Sequence, residues 1–208
     1  MTRNTATRWC CPNTCASTQP ASANAHLRKP MLRRIALWVC LAGLPLAACA
    51  QGFTLTSPAL PADGALPRTS VYTQCGGGNR SPALRWIDPP VGTRSYAVTL
   101  FDTDAAGGFW HWIAFDIPVG AYGLNPDAGA PHSGNAPGDT VQLRNDFGNV
   151  GYSGPCPPAG PPHHYVFTVY ALNVPTLGIA ARFSRTDALA AIRQHTLARA
   201  TLTATWGR

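Results

Sequence analysis

The 208 residues are enough for one domain with an additional segment, and 20 Gly and 20 Pro favour short strands joined by turns over a helical protein. The net charge of +7 is concentrated at one end, because six of the 16 basic residues and none of the nine acids precede position 49. From Cys49 onward there are ten Arg and nine Asp, which leaves a net charge of about +1. This distribution excludes a basic nucleic-acid-binding face and assigns the excess to a leader segment.

Residues 31–48 have the layout of a secretory signal peptide. Arg33-Arg34 forms a positive head before an apolar run, Ile35–Ala48, that is shorter than the roughly 20 residues needed to span a membrane. The run ends in Leu46-Ala47-Ala48-Cys49, which resembles a bacterial lipobox. We expect Cys49 to become the lipidated first residue of an exported, membrane-anchored lipoprotein facing the periplasm. The alternative is cleavage after Ala50, which would release a soluble periplasmic protein.

The start of translation follows from the position of this signal. A signal peptide rarely begins 30 residues into a chain, so Met31 is the expected start and residues 1–30 are a misassigned extension. The alternative is translation from Met1, with residues 1–30 as a disordered tail. In both cases residues 49–208 form a single domain.

Two cysteines remain for structural chemistry in the mature chain. Of the seven in the sequence, four precede position 49 and Cys49 is the lipidation candidate. Cys75 and Cys156 are then an even pair in an oxidising compartment, and we predict that they form a disulfide. The alternative is two separate buried thiols.

The mature chain opens with three short strand candidates. Gly52–Leu60 alternates weakly between apolar and polar residues, and Arg68–Cys75 is a second candidate. Leu84–Ile87 is the third, between the turn signals Ser81-Pro82 and Asp88-Pro89-Pro90.

Three longer strands follow, and all are rich in β-branched and aromatic residues. They are Ser95–Phe101, Phe109–Ile117 and Tyr165–Leu172. Because they carry few polar groups, we expect burial on both faces, as in the core of a sandwich. Residues 120–163 are rich in Gly and Pro and are predicted to be mainly loop.

The end of the chain predicts one helix and a last strand. Arg185–Arg199 has apolar residues near helical spacing, with Ser184 or Thr186 available as a cap. Ala200–Trp206 then alternates as a strand. The pattern is that of an all-β domain with one C-terminal helix.

Candidate functional side chains lie at the ends of the long strands. Asp102 and Asp104 follow the first of them, and at i and i+2 both can turn toward one cavity. His111 lies between two tryptophans, and strand alternation puts it on the face opposite both. Taken alone, the two acids are more typical of a turn, and His111 of a core histidine.

A Gly- and Pro-rich segment precedes the third long strand. Gly151–Pro158 reads as a stiff loop whose backbone amides could face a ligand. It leads to His163 and Tyr165 at the start of that strand, and imidazole N–H and phenol O–H groups are donors suited to phosphate oxygens.

Five motifs follow one another between about Thr54 and Trp206. They are Ser81-Pro82-Ala83-Leu84-Arg85-Trp86, Phe101-Asp102-Thr103-Asp104, His111–Pro118, Asn145-Asp146-Phe147-Gly148, and Gly154–Pro158 running on to His163–Phe167. In order and spacing they resemble the phosphatidylethanolamine-binding protein family, in its bacterial branch described as Raf-kinase-inhibitor-like. The resemblance implies an all-β fold, a β-sandwich of two antiparallel sheets with a short C-terminal helix.

The resemblance also implies a small surface pocket that takes phosphate-like anions and phosphoethanolamine head groups. The family's pocket residues fall on Asp102, Asp104, His111, Gly154, Pro155, Pro157, Pro158, His163 and Tyr165. Thr103 stands where the family usually has proline between two aspartates, a departure that keeps both acids. Asp102 would orient His111 or His163 and keep it protonated.

These observations lead to a functional expectation. The protein would be a non-enzymatic envelope protein whose pocket binds phosphate-like anions or phospholipid head groups. The alternative is a protein-interaction module that inhibits or modulates another protein, with the pocket as its regulatory site. Ser153 lies in G-Y-S-G and not in the G-x-S-x-G of hydrolases, and no local metal-ligand spacing or phosphate-binding loop occurs. We therefore expect no catalytic residue, no metal, no cofactor and no nucleic-acid partner.

Overall fold

The structure, a computed structural model, describes residues 52–131, 133–179 and 184–208. The predicted extension, the signal peptide and the lipidation candidate Cys49 lie outside these residues. Within them the strands are β1 (Thr54–Thr56), β2 (Leu84–Ile87), β3 (Ser95–Asp102), β4 (Phe109–Pro118), β5 (Gly123–Leu124), β6 (Val141–Gln142), β7 (His163–Leu172) and β8 (Thr196–Trp206). One α-helix, α1 (Arg185–His195), and two 3₁₀-helices, Arg68–Ser70 and Thr73–Cys75, complete the elements.

The strands form two antiparallel sheets. The smaller sheet has the order β1-β2-β5, and the larger has the order β6-β4-β3-β7-β8. β3 and β7 pair without interruption from Ser95↔Leu172 to Asp102↔Tyr165. This arrangement confirms the predicted β-sandwich with one short helix near the C-terminus.

The larger sheet is buried on both faces, which explains its apolar strands. One face packs against the smaller sheet through Trp86, Tyr96, Trp112 and Phe167, all at most 1% exposed. The opposite face of the sheet packs Phe115 and Leu172 against helix α1. The prediction of burial on both faces is therefore confirmed.

Ser184 caps the start of helix α1, and the extended residue Thr196 follows its end. The Ser184 hydroxyl accepts a hydrogen bond from the backbone N–H of Asp187, so Ser184 is the cap. The helix ends at His195, four residues before the predicted limit at Arg199. Thr196 is extended and pairs with Leu172, because β7 offers a full-length partner for the chain that follows.

The predicted strand Arg68–Cys75 is wrong, because this segment folds into the two 3₁₀-helices. Its backbone hydrogen bonds are mainly short-range: the N–H groups of Asn79 and Arg80 donate to the carbonyls of Val71 and Thr69, whereas the Tyr72 N–H donates to the Pro155 carbonyl. Glycine makes this return possible, since a Cβ at Gly77 would lie 2.1 Å from the Val71 carbonyl oxygen. These backbone groups are therefore already paired and do not form a strand ladder.

Two other predicted boundaries are corrected. The first strand covers only Thr54–Thr56 of the predicted Gly52–Leu60. The chain turns at Ser57, whose carbonyl accepts a hydrogen bond from the Leu60 N–H. Pro58 also has no backbone N–H to donate to a sheet. The predicted loop 120–163 contains the two-residue strands β5 and β6, which extend one sheet each.

A β-bulge in β4 changes the environment of the predicted functional histidine. Leu100 pairs with Trp112 and Phe101 pairs with Trp110, so His111 is an extra residue between two successive pairs. Trp112 consequently packs between the sheets, whereas Trp110 packs on the helix side. The expectation that His111 faces away from both tryptophans is wrong, since the bulge sends the tryptophans to opposite faces.

Candidate functional site

A small pocket opens where β3 ends and β4 and β7 begin. Its volume is about 150 Å³, and polar and aromatic groups from three strands share it with the proline-rich loop. The lining residues are Asp102, Ala105, Phe109, His111, Phe147, Cys156, Pro157, Pro158, His163 and Tyr165. Antiparallel pairing explains the convergence, because the last residue of β3 lies beside the first residues of its two neighbours.

Asp102 is the polar centre of the pocket and is almost completely buried. Its Oδ1 accepts hydrogen bonds from the backbone N–H groups of Asp104 at 2.9 Å and Ala105 at 3.2 Å. Its Oδ2 lies 2.7 Å from Nδ1 of His163. Because a carboxylate accepts, Nδ1 of His163 carries the proton, and Nε2 remains for a ligand. Of the two histidines that Asp102 was expected to orient, it contacts His163.

His111 is held by a different partner. Its Nδ1 lies 2.7 Å from the backbone carbonyl oxygen of Ser153, so this nitrogen donates and Nε2 of the neutral ring is an acceptor. Burial lowers the pKa of His111, and the favourable charge of Asp102 does not compensate. The expectation of a protonated ring therefore does not hold for His111, which favours the neutral form at neutral pH.

Tyr165 supplies a candidate donor. Its side chain is fully buried, and its hydroxyl lies near the Asp102 carboxylate but makes no hydrogen bond of normal geometry within the part of the chain that the structure describes. Burial raises the pKa of Tyr165, and the nearby Asp102 carboxylate raises it further, so the phenol stays protonated. A buried hydroxyl without a partner is costly, which makes it a candidate contact for a ligand.

The predicted loop residues divide into two groups. Pro157 and Pro158 line the pocket together with Cys156. Gly154 and Pro155 lie outside the lining: the Gly154 N–H donates to Asn79, and the Pro155 carbonyl accepts from the Tyr72 N–H. The prolines have no N–H to offer a ligand, and the N–H of Gly154 is used within the protein, so neither supplies a ligand-facing amide.

The predicted disulfide between Cys75 and Cys156 is present. It joins the pocket loop to the second 3₁₀-helix across 81 residues of sequence. Since Cys156 itself lines the pocket, the bridge fixes one wall of the site.

Asp104 lies outside the pocket lining, although it was predicted with Asp102. Its Oδ2 accepts from the backbone N–H of His164 at 2.6 Å and lies 2.9 Å from Nδ1 of the same residue. These hydrogen bonds lower the pKa of Asp104, whose side chain is exposed. Asp104 therefore ties the turn after β3 to β7 from outside the pocket, parallel to the Asp102–His163 pair.

Four lining residues were not among the predicted ligand contacts: Ala105, Phe109, Phe147 and Cys156, the last of which was predicted only as a disulfide partner. Phe109 and Phe147 meet edge to face with ring centroids 4.8 Å apart, and Phe109 lies 4.9 Å from the ring of His111. Phe147 also stacks on Tyr72 at 4.6 Å. Phe109 could have been found from its position two residues before His111 on the same strand, whereas the approach of Phe147 depends on loop geometry.

Two features are absent from the described ranges, a metal-ligand cluster and a membrane-spanning helix. Within residues 52–131, 133–179 and 184–208, no three His, Cys, Asp or Glu side chains converge as metal ligands. Over the same part of the chain, no helix is both long and apolar enough to cross a membrane.

Comparison with known proteins gives consistent matches to one family. Residues 56–207 match the family described as phosphatidylethanolamine-binding protein. The Escherichia coli protein YbcL is 40% identical over 149 residues, which cover 69% of this chain and 81% of YbcL. YbhB of the same organism is 37% identical over 67% of this chain and 90% of its own length.

A solved structure and a further relative extend this result. The crystal structure of E. coli YbcL, described as a new member of the mammalian PEBP family, superposes with a TM-score of 0.72 and 36% identity over 76% of this chain and 99% of that one. A Mycobacterium tuberculosis protein named as a lipoprotein, LppC, is 40% identical over 62% of this chain and 59% of its own length.

Proposed function

The chain belongs to the phosphatidylethanolamine-binding protein family, and on that premise we propose that its pocket binds small phosphate-like anions, including the phosphate of phospholipid head groups. The observation that carries the proposal is the Asp102–His163 pair, 2.7 Å apart, at the centre of a small pocket. The pair leaves Nε2 of His163 available to a ligand.

The hydrogen-bonding groups of the pocket suit a partly protonated phosphate. The Tyr165 hydroxyl is a donor that makes no hydrogen bond of normal geometry in the described chain, and Nε2 of His163, which Asp102 leaves open, can contact a phosphate group. Neutral His111 offers an acceptor at Nε2. Donors and acceptors together match an oxyanion that retains one O–H, or a head group that carries an N–H.

The charge of Asp102 does not exclude an anion. Its carboxylate accepts hydrogen bonds from Nδ1 of His163 and from two backbone N–H groups, and these donors compensate its negative charge. The pocket lining contains neither Lys nor Arg. We therefore expect selection by hydrogen-bond geometry in a confined space and only modest affinity.

An envelope location is part of the proposal. A signal peptide at residues 31–48 and a lipobox-like ending at Cys49 support export and lipid attachment. The relative LppC, which is named as a lipoprotein, supports the same location.

We further propose that the protein binds and does not catalyse. The Ser153 hydroxyl is fully buried and accepts hydrogen bonds from Asn145 and Asn149, which supports a structural role for this serine. A nucleophile would need a base within hydrogen-bonding distance, and the His111 ring forms its hydrogen bond with the Ser153 carbonyl and not with the hydroxyl.

Neighbouring histidines allow a direct test. Calorimetric titration of the mature protein with inorganic phosphate and with phosphoethanolamine at pH 6 would compare His163→Gln with the control His164→Gln. His164 is adjacent, exposed and outside the pocket lining. We expect a loss of affinity of about tenfold, or about 1.4 kcal/mol, for His163→Gln and no change for His164→Gln. Equal affinities for both variants would contradict the proposal.

A further inference from the structure

The two ends of the sandwich have different surfaces. The pocket lies at the end of β3 that carries Asp102. At the other end, Ser95 pairs with Pro118 and Leu172, and the Arg94 N–H donates to the Leu172 carbonyl. From Tyr96 to Asp102 the strand advances six residues, which places the two ends about 20 Å apart.

The N-terminal chain emerges at the end opposite the pocket. Thr54 pairs with Ile87, so the preceding residues continue beyond the last residue of β2. Phe53 confirms this direction, because its ring stacks on Tyr96 at 6.4 Å, next to Ser95. Cys49 is only three residues before Gly52, and three residues span no more than about 11 Å.

Exposed apolar side chains concentrate at the same end. Among the described residues, seven large hydrophobic side chains are exposed, and five of them belong to this end: Ile87, Val91, Val119, Tyr122 and Leu197. Val119 follows the Ser95–Pro118 pair, and Leu197 follows the Thr196–Leu172 pair. We call these five residues the apolar end.

Contacts between the segments that carry these five residues place them near one another. A Cβ at Gly92 would lie 3.8 Å from Cδ1 of Leu197, which brings the turn carrying Val91 beside the start of β8. Trp86 immediately precedes Ile87, and its N–H donates to the Tyr122 carbonyl. This hydrogen bond places Tyr122 beside Ile87. Asp88 and Arg94, both exposed, flank Val91 in sequence with opposite charges, so this turn has little net charge.

We propose that the apolar end is a docking surface for the lipid bilayer that holds the Cys49 anchor. The inference rests on the lipidation of Cys49 in the proposed function. The short connection holds the apolar end near the membrane surface, where exposed Val, Ile and Leu enter the interface and Tyr lies at the head-group level. The charges that flank Val91 are opposite in sign, so this turn presents an apolar contact to the bilayer.

This orientation determines which ligands reach the pocket. With the apolar end on the membrane, the pocket opens about 20 Å away and faces the periplasm. Its ligand then comes from solution or from another membrane, and not from the head groups of the bilayer that holds the anchor.

The test uses the lipidated mature protein in phosphatidylethanolamine–phosphatidylglycerol vesicles. A cysteine introduced as Val91→Cys or Leu197→Cys is labelled with an environment-sensitive fluorophore, while Cys75 and Cys156 are protected by their disulfide. The control is Val150→Cys, an exposed valine at the pocket side. We expect blue-shifted emission, about twofold brighter, and quenching by head-group-proximal nitroxide lipids for the first two labels. The label at position 150 should keep its emission.

Each outcome decides the proposal. Unchanged emission at positions 91 and 197, or equal quenching at position 150, would overturn it. Mass spectrometry of the same preparation reports the lipid on Cys49, and its absence would remove the premise. Phosphate titration with and without vesicles separates this inference from the proposed function: failure of the docking surface leaves phosphate affinity intact. A phosphate affinity that vesicles change severalfold would contradict a pocket that faces away from them.

Discussion

Asp102 and His163 are 61 residues apart in the sequence, yet Oδ2 of one lies 2.7 Å from Nδ1 of the other. The second oxygen of Asp102 caps the turn after β3 by accepting two backbone N–H groups. A single carboxylate therefore joins a turn to the first residue of β7. His163 is positioned by this contact, and its Nε2 is the ring nitrogen left for a ligand.

Replacing Asp102 by asparagine tests this contact with little change in shape. The amide oxygen of Asp102→Asn can still accept the two turn N–H groups, but the charge opposite His163 is lost. We expect phosphate affinity at pH 6 to fall about tenfold, and the protein to lose about 1–3 kcal/mol of stability. Calorimetry from pH 5 to 8 measures the affinity. Asp104→Asn, at the exposed neighbouring pair, is the control and should bind normally.

The outcome against this prediction is specific. If Asp102→Asn bound phosphate as the natural chain does across pH 5–8, the pair would have only a structural role. The stability loss would then be the complete effect of the substitution.

The buried imidazole of His111 predicts a dependence of stability on pH. The folded-state pKa of His111 is below its usual value near 6.5 because burial disfavours the charged form. Above about pH 7.5 the ring is neutral in both states and contributes nothing. As the pH falls below 6.5 the unfolded chain takes up a proton first, so the folded state is destabilised, by about 1.4 kcal/mol for each unit of the shift.

Urea denaturation between pH 7.5 and 5 measures this loss. His111→Gln should show a flatter profile in the same window, because the titrating group is gone. Phosphate should oppose the loss, since a protonated His111 gains a donor for the anion, and phosphate affinity should therefore rise as the pH falls. A denaturation profile for His111→Gln as steep as that of the natural chain would contradict the prediction.

The long strands could be predicted because their burial shows in the residue types of each strand itself. β3, β4 and β7 are buried on both faces, and this alone requires near-continuous apolar residues. The segment Arg68–Cys75 was predicted wrongly because its β-branched and aromatic residues favour a strand. Its true conformation depends on the return through Gly77, a contact with Val71 that residue type does not show.

The site was predictable only in part, for a related reason. His111 could be selected by residue type, but its direction depends on a bulge that arises between two strands. Asp102 and Asp104 are alternating residues of one turn, and only the pairing with β7 places one against His163 and the other against His164. Contacts between segments that are distant in sequence determine this geometry, and the local sequence does not show them.

The disulfide is expected to support both stability and binding. The Cys75–Cys156 bridge closes a loop of 81 residues, for which loop-closure entropy gives about 4.5 kcal/mol. Chemical denaturation of Cys75→Ser should show a loss of this order, and phosphate affinity should fall because Cys156 lines the pocket. The natural chain treated with a phosphine reductant should behave as the variant does. Unchanged affinity in both would show that Pro157 and Pro158 hold the wall without the bridge.

Gly154 is expected to be required for the packing of the pocket loop. A Cβ at this position would lie 2.1 Å from the Ser70 carbonyl oxygen and 2.7 Å from the Tyr72 nitrogen, both rigid backbone atoms. Gly154→Ala therefore has to move the loop away from the segment 68–75, and overpacking of this kind costs about 1–3 kcal/mol. Gly120→Ala is the control, because nothing lies within 4 Å of its Cβ and its φ is not positive. Thermal and urea denaturation should show the loss for Gly154→Ala alone. Phosphate binding should weaken as well, because the pocket-lining Pro157 and Pro158 follow three and four residues later in the same loop. Equal stability of the two variants would show that the loop can move without cost.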